Sequence, residues 1–326
     1  MVAMGGLEPP THLMKSSFKP TRRQVLKGAA GLATAAVVPG VAAAGADPEA
    51  LRAAHERWRE SLPIAPEPEL SRHGLVATEL GRWHVIDARQ AAAVDATHFY
   101  GIGNHNLVKL RKDTGERVAE WVGPRGGQII HFNAGYVEGD ELVLAHSNFP
   151  HLPMVSSVEI HDARTLQPLR SHSLGIRQGS LTWAVRHQGR WWACFANYNA
   201  RGGTPGIDQR WTHLGEFDDN WQMLRSWIFP PQVVATWRNN SSSGGDWGDD
   251  GLLYVTGHDA AELYVLRLPE QGSTLEYVTT IDVPFEGQAW AWDRSANGGR
   301  VIYGIIRAGQ EIVAARVPRL PTHLIR

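Results

Sequence analysis

Histidine and carboxylate side chains are the groups of this chain best suited to chemistry, and four of its 15 histidines fall at strand-entry or loop positions of a repeating pattern. They are His131, His146, His151 and His258. With Glu286 or Asp259 completing the shell, these imidazoles could hold a divalent cation. A Zn²⁺ ion there would lower the pKa of a bound water toward neutrality while a spare imidazole or acid moved protons. Without a metal, a His/Glu or His/Asp pair can work as acid and base on a polar substrate, and His131, His258 and Glu286 are the expected catalytic set. His105, Asn133, Asn148, Asn199, Asp259, Gln288 and Arg307 are the expected substrate contacts. Trp183 and Trp247 join them, with Trp290 and Tyr198 beside them, because indole and phenol faces suit the apolar face of a sugar ring or an aromatic ligand. No short spacing ties these residues together, so the fold must do it.

Other catalytic patterns are absent. There is no Gly-x-Ser-x-Gly elbow, no His-Glu-x-x-His, no P-loop and no paired-Cys zinc motif. Gly101-Ile102-Gly103-Asn104-His105-Asn106 imitates a dinucleotide loop but lacks the third glycine and leads into a strand, where a phosphate site needs a helix start. The single cysteine, Cys194, lies in the apolar run Trp191-Trp192-Ala193-Cys194-Phe195, which predicts inert core and excludes an internal disulfide.

The elements that must position the polar residues are short β-rich runs from about residue 72 onward. Five segments align beneath one another, with innermost strands beginning near Gln90, Asn133, Leu181, Gly245 and Gln288, at steps of 43, 48, 64 and 43 residues. Second strands follow at Phe99–Gly103, Leu142–His146, Trp191–Phe195, Leu253–Gly257 and Ile302–Ile306. Third strands follow at Leu107–Arg111, Val158–Asp162, Thr212–Phe217, Leu263–Leu268 and Ile312–Val317. Such periods, with about four strands each, predict an all-β, five-bladed β-propeller. The last repeat runs out of chain, and Gly74–Leu80 is the expected donor of its outer strand, which would hide the sheet edges. A β-sandwich of the same strand count explains neither the period nor the incomplete last unit.

The turn Lys112-Asp113-Thr114-Gly115-Glu116 and the stretch His161-Asp162-Ala163-Arg164-Thr165 resemble the Asp-x-x-Thr/Gly turns of the broad YVTN/quinoprotein-like propellers. Five blades are also similar to plant-type glutaminyl cyclotransferases and some glycan-cleaving propellers. The resemblance spans roughly residues 72–318. It implies the architecture and transfers no catalytic residue. The chain does not match WD40 repeats, whose Trp-Asp closes a third strand, nor kelch repeats, which carry Gly-Gly in each blade.

In propellers as a class, the entries to innermost strands and the loops joining second to third strands share one mouth. The entries here hold His131-Phe132-Asn133, Ser180-Leu181-Thr182-Trp183, Ser242-Ser243-Gly244-Gly245-Asp246-Trp247 and Glu286-Gly287-Gln288. The loops hold Asn104-His105-Asn106, His146-Ser147-Asn148 with His151, Asn197-Tyr198-Asn199 with Arg201, His258-Asp259, and Arg307. The opposite mouth collects turns such as Glu138-Gly139-Asp140 and Gly248-Asp249-Asp250-Gly251. Convergence of distant His, Asn, Asp, Glu and Trp is what a small polar or carbohydrate-like ligand requires. Two long excursions, Asn197–Arg210 and Phe229–Gly244, are expected to rise over that mouth as lids do.

Ahead of the repeats, Arg22-Arg23, the Ala/Gly-rich run to Val41 and the Ala-x-Ala sites near Ala44 and Ala46 resemble a twin-arginine signal peptide spanning residues 1–46. That leader implies the twin-arginine export machinery as a partner and a periplasmic or secreted destination. The apolar run is too short to span a bilayer, so no membrane insertion is expected once it is removed. Asp47-Pro48-Glu49 starts a short helix carrying Leu51, Ala54, His55, Trp58 and Leu62, and Pro63, Pro66 and Pro68 make a linker, so residues 47–71 form a lead-in to a propeller domain over 72–326. The leader holds Lys15, Lys19, Arg22, Arg23 and Lys27 against Glu8, so the net charge of −1 becomes about −5 on its removal. A mildly acidic chain without a basic block argues against nucleic-acid binding. Apolar content of 43% with 20% charged residues excludes wholesale disorder.

Overall fold

The computed structural model describes residues 70–325 apart from 178, 297 and 298, together with Glu49, Ala50, Ala53, Ala54, Arg57 and Ser61. The leader, the linker and Leu51, His55, Trp58 and Leu62 lie outside the described residues. Glu49, Ala50, Ala53, Ala54 and Arg57 are helical, and Ser61 donates its N–H to the Arg57 carbonyl at 3.1 Å. The chain divides into two units, residues 1–65 and 66–326.

The second unit is a five-bladed β-propeller. Blade one is β3 (Ala91–Val94), β4 (His98–Ile102), β5 (Asn106–Arg111) and β6 (Arg117–Val122). Blade two is β7 (His131–Glu138), β8 (Glu141–Ser147), β9 (Val155–Asp162) and β10 (Pro168–Ile176). Blade three is β11 (Ser180–His187), β12 (Arg190–Ala196), β13 (His213–Phe217) and β14 (Met223–Ile228). Blade four is β15 (Gly244–Trp247), β16 (Leu253–Thr256), β17 (Glu262–Arg267) and β18 (Glu276–Asp282), and blade five is β19 (Ala291–Asp293), β20 (Val301–Ile306) and β21 (Glu311–Arg316).

Blade five takes its outer strand from the N-terminal side, as expected, but from β2 (Thr78–His84), antiparallel to β21 with Thr78 opposite Arg316. The expected donor, 74–80, is therefore divided. Its first half belongs to β1 (Arg72–Val76), which runs parallel to β18 as a fifth strand on blade four. The register is set by Trp83, whose ring packs 4.8 Å from Phe99 and 5.9 Å from Tyr303. Neither Leu75 nor Leu80 supplies an anchor of that size.

Burial explains why the strands read as they do. Inner and middle strands are covered on both faces by neighbouring blades, so Ala91–Val94 and nearly all of Arg190–Ala196 are buried and show no alternation. Outer strands such as Arg117–Val122 face water on one side and alternate. Near the axis the blades crowd, and some positions have no room for a side chain. A Cβ on Gly245 would come within 2.5 Å of the Trp183 ring. Asp162 accepts from the Arg164 and Thr165 N–H groups and the Thr165 hydroxyl, the turn expected from its sequence.

Candidate functional site

Five innermost strands converge on the axis, and at their upper ends each blade contributes one neutral hydrogen-bonding side chain. They are Gln90, Asn133, Thr182, Ser243 and Gln288, and they form part of the wall of a cavity of about 100 Å³. Several of them also tie blades together. Asn133 Nδ2 donates to the Leu181 carbonyl at 2.8 Å, Gln288 Nε2 to the His258 carbonyl at 2.8 Å, and the Thr256 hydroxyl to the Gln288 carbonyl at 2.7 Å. This fixes the floor before any ligand arrives.

Four loops joining second to third strands complete the lining through Phe149, Tyr198, His258 and Arg307. Asn240 joins them from the excursion between blades three and four, seated by the short helix Pro231–Thr236, which buries Val233 and Val234. The two excursions meet where the Asn199 N–H donates to the Asn239 carbonyl at 3.1 Å. Gly202 lies so close to the Phe149 ring that a Cβ there would fall 2.3 Å from it. Both excursions therefore overlie the upper mouth, as expected from their length.

His131 and His258 open onto this one cavity. The His131 ring lies 5.0 Å from Phe149 and makes no hydrogen bond among the described residues. Burial, and then the positive charge offered by His146, Arg307, Arg201 and His258, pushes its pKa down to about 4. It is a neutral imidazole with a lone pair available. His258 has a defined tautomer. Arg307 Nη1 can only donate, so His258 Nε2 accepts from it at 3.2 Å, and the ring proton sits on Nδ1 and donates to Asp259 Oδ1 at 2.5 Å. Asn240 Nδ2 donates to the other Asp259 oxygen at 2.9 Å. Burial pushes the Asp259 pKa up, but His258, Asn240 and Arg307 together outweigh it and hold the carboxyl below its usual value.

Glu286 does not line the cavity. Its Oε2 accepts the Arg307 backbone N–H at 2.9 Å, which positions that loop, so its expected catalytic role is replaced by a supporting one. The expected metal set does not assemble. His146 is buried with Nε2 accepting from the Ile130 N–H at 3.0 Å and Nδ1 on the Ser157 hydroxyl at 2.8 Å, leaving no lone pair to give. His151 is exposed on its loop. Among the described residues no three His, Cys, Asp or Glu side chains stand close enough to share an ion, and the guanidinium facing His258 would repel one. The donors do not fit a divalent cation.

The expected tryptophan platform is likewise displaced. Trp183, Trp247 and Trp290 are 1%, 2% and 3% exposed and fill wedges between blades. Trp183 donates to Ser242, Trp247 stacks 4.7 Å from His187, and Trp290 packs edge-on to Trp292 at 5.1 Å. Phe149 and Tyr198, 5.2 Å apart, provide the aromatic wall instead. Asn133, Gln288 and Arg307 are on the lining, and Asp259 is one bond behind it. His105 and Asn199 are exposed away from it, and Asn148 spends both ends of its amide on Pro153 and Val155 of its own loop. Phe149 and Asn240 carried no signal of their own, since an apolar loop residue and a turn asparagine are both ordinary.

The lower mouth holds more than turns. Asp246, expected among the upper entries, lies at the lower end of β15 in a hollow of about 360 Å³ with Tyr136 and Arg294. Arg294 Nη2 donates to both its oxygens, at 2.8 and 3.0 Å. Burial pushes the Asp246 pKa up to about 6 despite that partner.

No family model matches the chain, and no curated protein does. Among solved structures it is similar to a protein of unknown function from Bacteroides caccae, at 12% identity and a TM-score of 0.37 over 59% of this chain and 60% of that one. It is similar to the hydrazine synthase of Kuenenia stuttgartiensis, at 10% identity and a TM-score of 0.39 over 68% of each chain. The β-propeller domain of Cps50 (Swd1) from Myceliophteria thermophila is similar at 10% identity and a TM-score of 0.37, over 70% of this chain and 84% of that one. This chain thus spans less than two thirds of the Bacteroides protein, and none of these likenesses assigns a ligand or a reaction.

Proposed function

We propose that this propeller is an exported enzyme, a hydrolase, lyase or cyclising transferase acting on a small polar or carbohydrate-like substrate in the upper mouth. The observation that carries this is the opening of two imidazoles, His131 and His258, onto one cavity floored by one neutral hydrogen-bonding side chain per blade. His131 acts as the proton acceptor, since it is neutral near pH 7 and unbonded. His258, oriented by Asp259, supplies the second proton-handling group once its Nε2 is released by Arg307. The floor amides and hydroxyls orient the substrate's own hydroxyl groups, and Phe149 and Tyr198 cover its apolar face.

The test is a turnover screen of the exported protein against chromogenic glycosides, uronate oligosaccharides and N-terminal glutaminyl peptides. His131→Ala should lower the turnover found by about 10²–10⁴-fold while the unfolding midpoint changes little, because the ring opens onto the cavity and its loss strands no hydrogen-bond partner among the described residues. Binding without turnover that survives both His131→Ala and His258→Ala would make this a binding propeller instead. The leader supports export through the twin-arginine route. Replacing Arg22 and Arg23 with lysine should strand the precursor in the cytoplasm, because that receptor reads guanidinium pairs and not charge alone. Unchanged export of the double variant would remove that part of the proposal.

A further inference from the structure

We infer that the ligand of the upper mouth carries a single carboxylate, bound by the Arg307 guanidinium; this rests on the upper mouth being a ligand site. Arg307 is the one arginine or lysine on the cavity lining. Among the described residues no carboxylate lies within 4.0 Å of its guanidinium, which spends one N–H on His258 Nε2 and leaves the rest of the fork unpartnered. By contrast, Arg294 holds Asp246, and Arg300 holds Asp249 and Asp250.

No acidic side chain lines the cavity to compete. Asp259 is engaged by His258 and Asn240, and Glu286 by a backbone N–H. The low proton affinity of His131, due first to burial and then partly to Arg307 and Arg201, records the same unbalanced positive field. A planar fork with free parallel N–H groups matches a carboxylate in two-point contact. One arginine on the lining suits a monoanion better than a doubly charged phosphate. The neutral floor then reads hydroxyl groups, so the ligand class is a hydroxylated carboxylic acid.

The experiment compares matched pairs on the full-length protein: glucuronate with glucose, galacturonate with galactose, and lactate with lactamide. Imidazole NMR signals of His131 and His258 are followed to tens of millimolar ligand. The acid of a pair should bind roughly tenfold or more tightly than its neutral partner and should raise the His131 pKa, which the neutral partner leaves in place. Arg307→Gln should abolish that preference and, without any ligand, raise the His131 pKa by removing a neighbouring cation. Arg307→Lys, which keeps the charge and loses the fork, should retain part of the preference and guards against a folding defect in the glutamine variant. Equal binding of acid and neutral members overturns the carboxylate while leaving the ligand site standing. If no member of either kind moves the two histidine signals, both are overturned. An unchanged acid preference in Arg307→Gln assigns the anion to another residue and overturns this one.

Discussion

The two ends of the central channel are built from the same innermost strands, and at both burial favours the neutral form of an ionisable group. At the upper end burial drives an imidazole down, to about 4 in His131, and at the lower end it drives a carboxyl up, to about 6 in Asp246. Burial alone therefore does not tell a site from a scaffold. Partners do. Asp246 gives both oxygens to Arg294 and takes the Trp247 N–H, so its hydrogen-bonding capacity is spent inside the protein. His131 has no such bond among the described residues, and the Arg307 fork is largely unspent. A polar group left unsatisfied in a covered cavity costs free energy unless something arrives to satisfy it.

The comparison depends on a closed ring, and opening the ring should have the largest effect. A truncated chain beginning at Val85 lacks β2 and β1, exposes the edge of blade five, and is expected to aggregate and lose both mouths. A monomeric peak in size-exclusion chromatography with a native unfolding midpoint would show that closure is dispensable. The next effect separates the two ends. Asp246→Ala should destabilise the protein by about 2–3 kcal/mol, since it removes a buried acceptor from Arg294 and from a backbone N–H. It should leave ligand binding at the upper mouth unchanged in a calorimetric titration. Lost binding in a folded Asp246→Ala protein would mean that the lower mouth takes part.

The smallest effect is the pH slope of stability. His98, His131, His146, His161, His187 and His213 are all held below the usual imidazole value, mainly by burial. The unfolded chain takes up protons first, so their contribution is complete above about pH 6.5 and is lost as pH falls, for His131 down to about 4. Asp246 acts in the opposite sense, because its raised pKa favours the protonated fold and that contribution is lost as pH rises through about 6. Chemical denaturation from pH 7 to 4 should thus show falling stability. His131→Gln should flatten the slope by at most roughly 1.4 kcal/mol per pH unit, and Asp246→Asn should steepen it. A slope unaffected by His131→Gln would place that imidazole in water.

The blades were legible because their period is long and regular. Expected starts at Gln90, Asn133, Leu181, Gly245 and Gln288 meet observed strands beginning at Ala91, His131, Ser180, Gly244 and Ala291. His131 and His258 could be brought together only by ring geometry, and that geometry followed from the repeat. The tryptophans misled because an innermost strand asks for an aromatic equally as ligand platform and as wedge between blades, and only depth decides. Asp246 misled for a related reason. β15 is four residues long, so the two ends of the channel lie roughly 10 Å apart along it at ~3.3 Å per residue, and Ser243 and Asp246 face different mouths. The division of 74–80 between two blades had no local signal, because Leu75 and Leu80 are similar outer-strand residues and the decisive Trp83 lies beyond the expected strand.

Pairing β2 with β21 joins residues roughly 230 positions apart, Thr78 to Arg316 and His84 to Glu311. Translation at ~5–20 residues per second separates their synthesis by roughly 10–50 s. Throughout that interval the first-made strands of the propeller are orphans. β2 awaits a partner among the last residues made, and β1 awaits β18 only slightly earlier. Blades one to three can assemble from their own hairpins as they emerge, so the ring grows as an open arc whose clasp was manufactured first and is fastened last. Anything that must act on the chain before closure, a chaperone or a protease, has that interval and those two strands to work on.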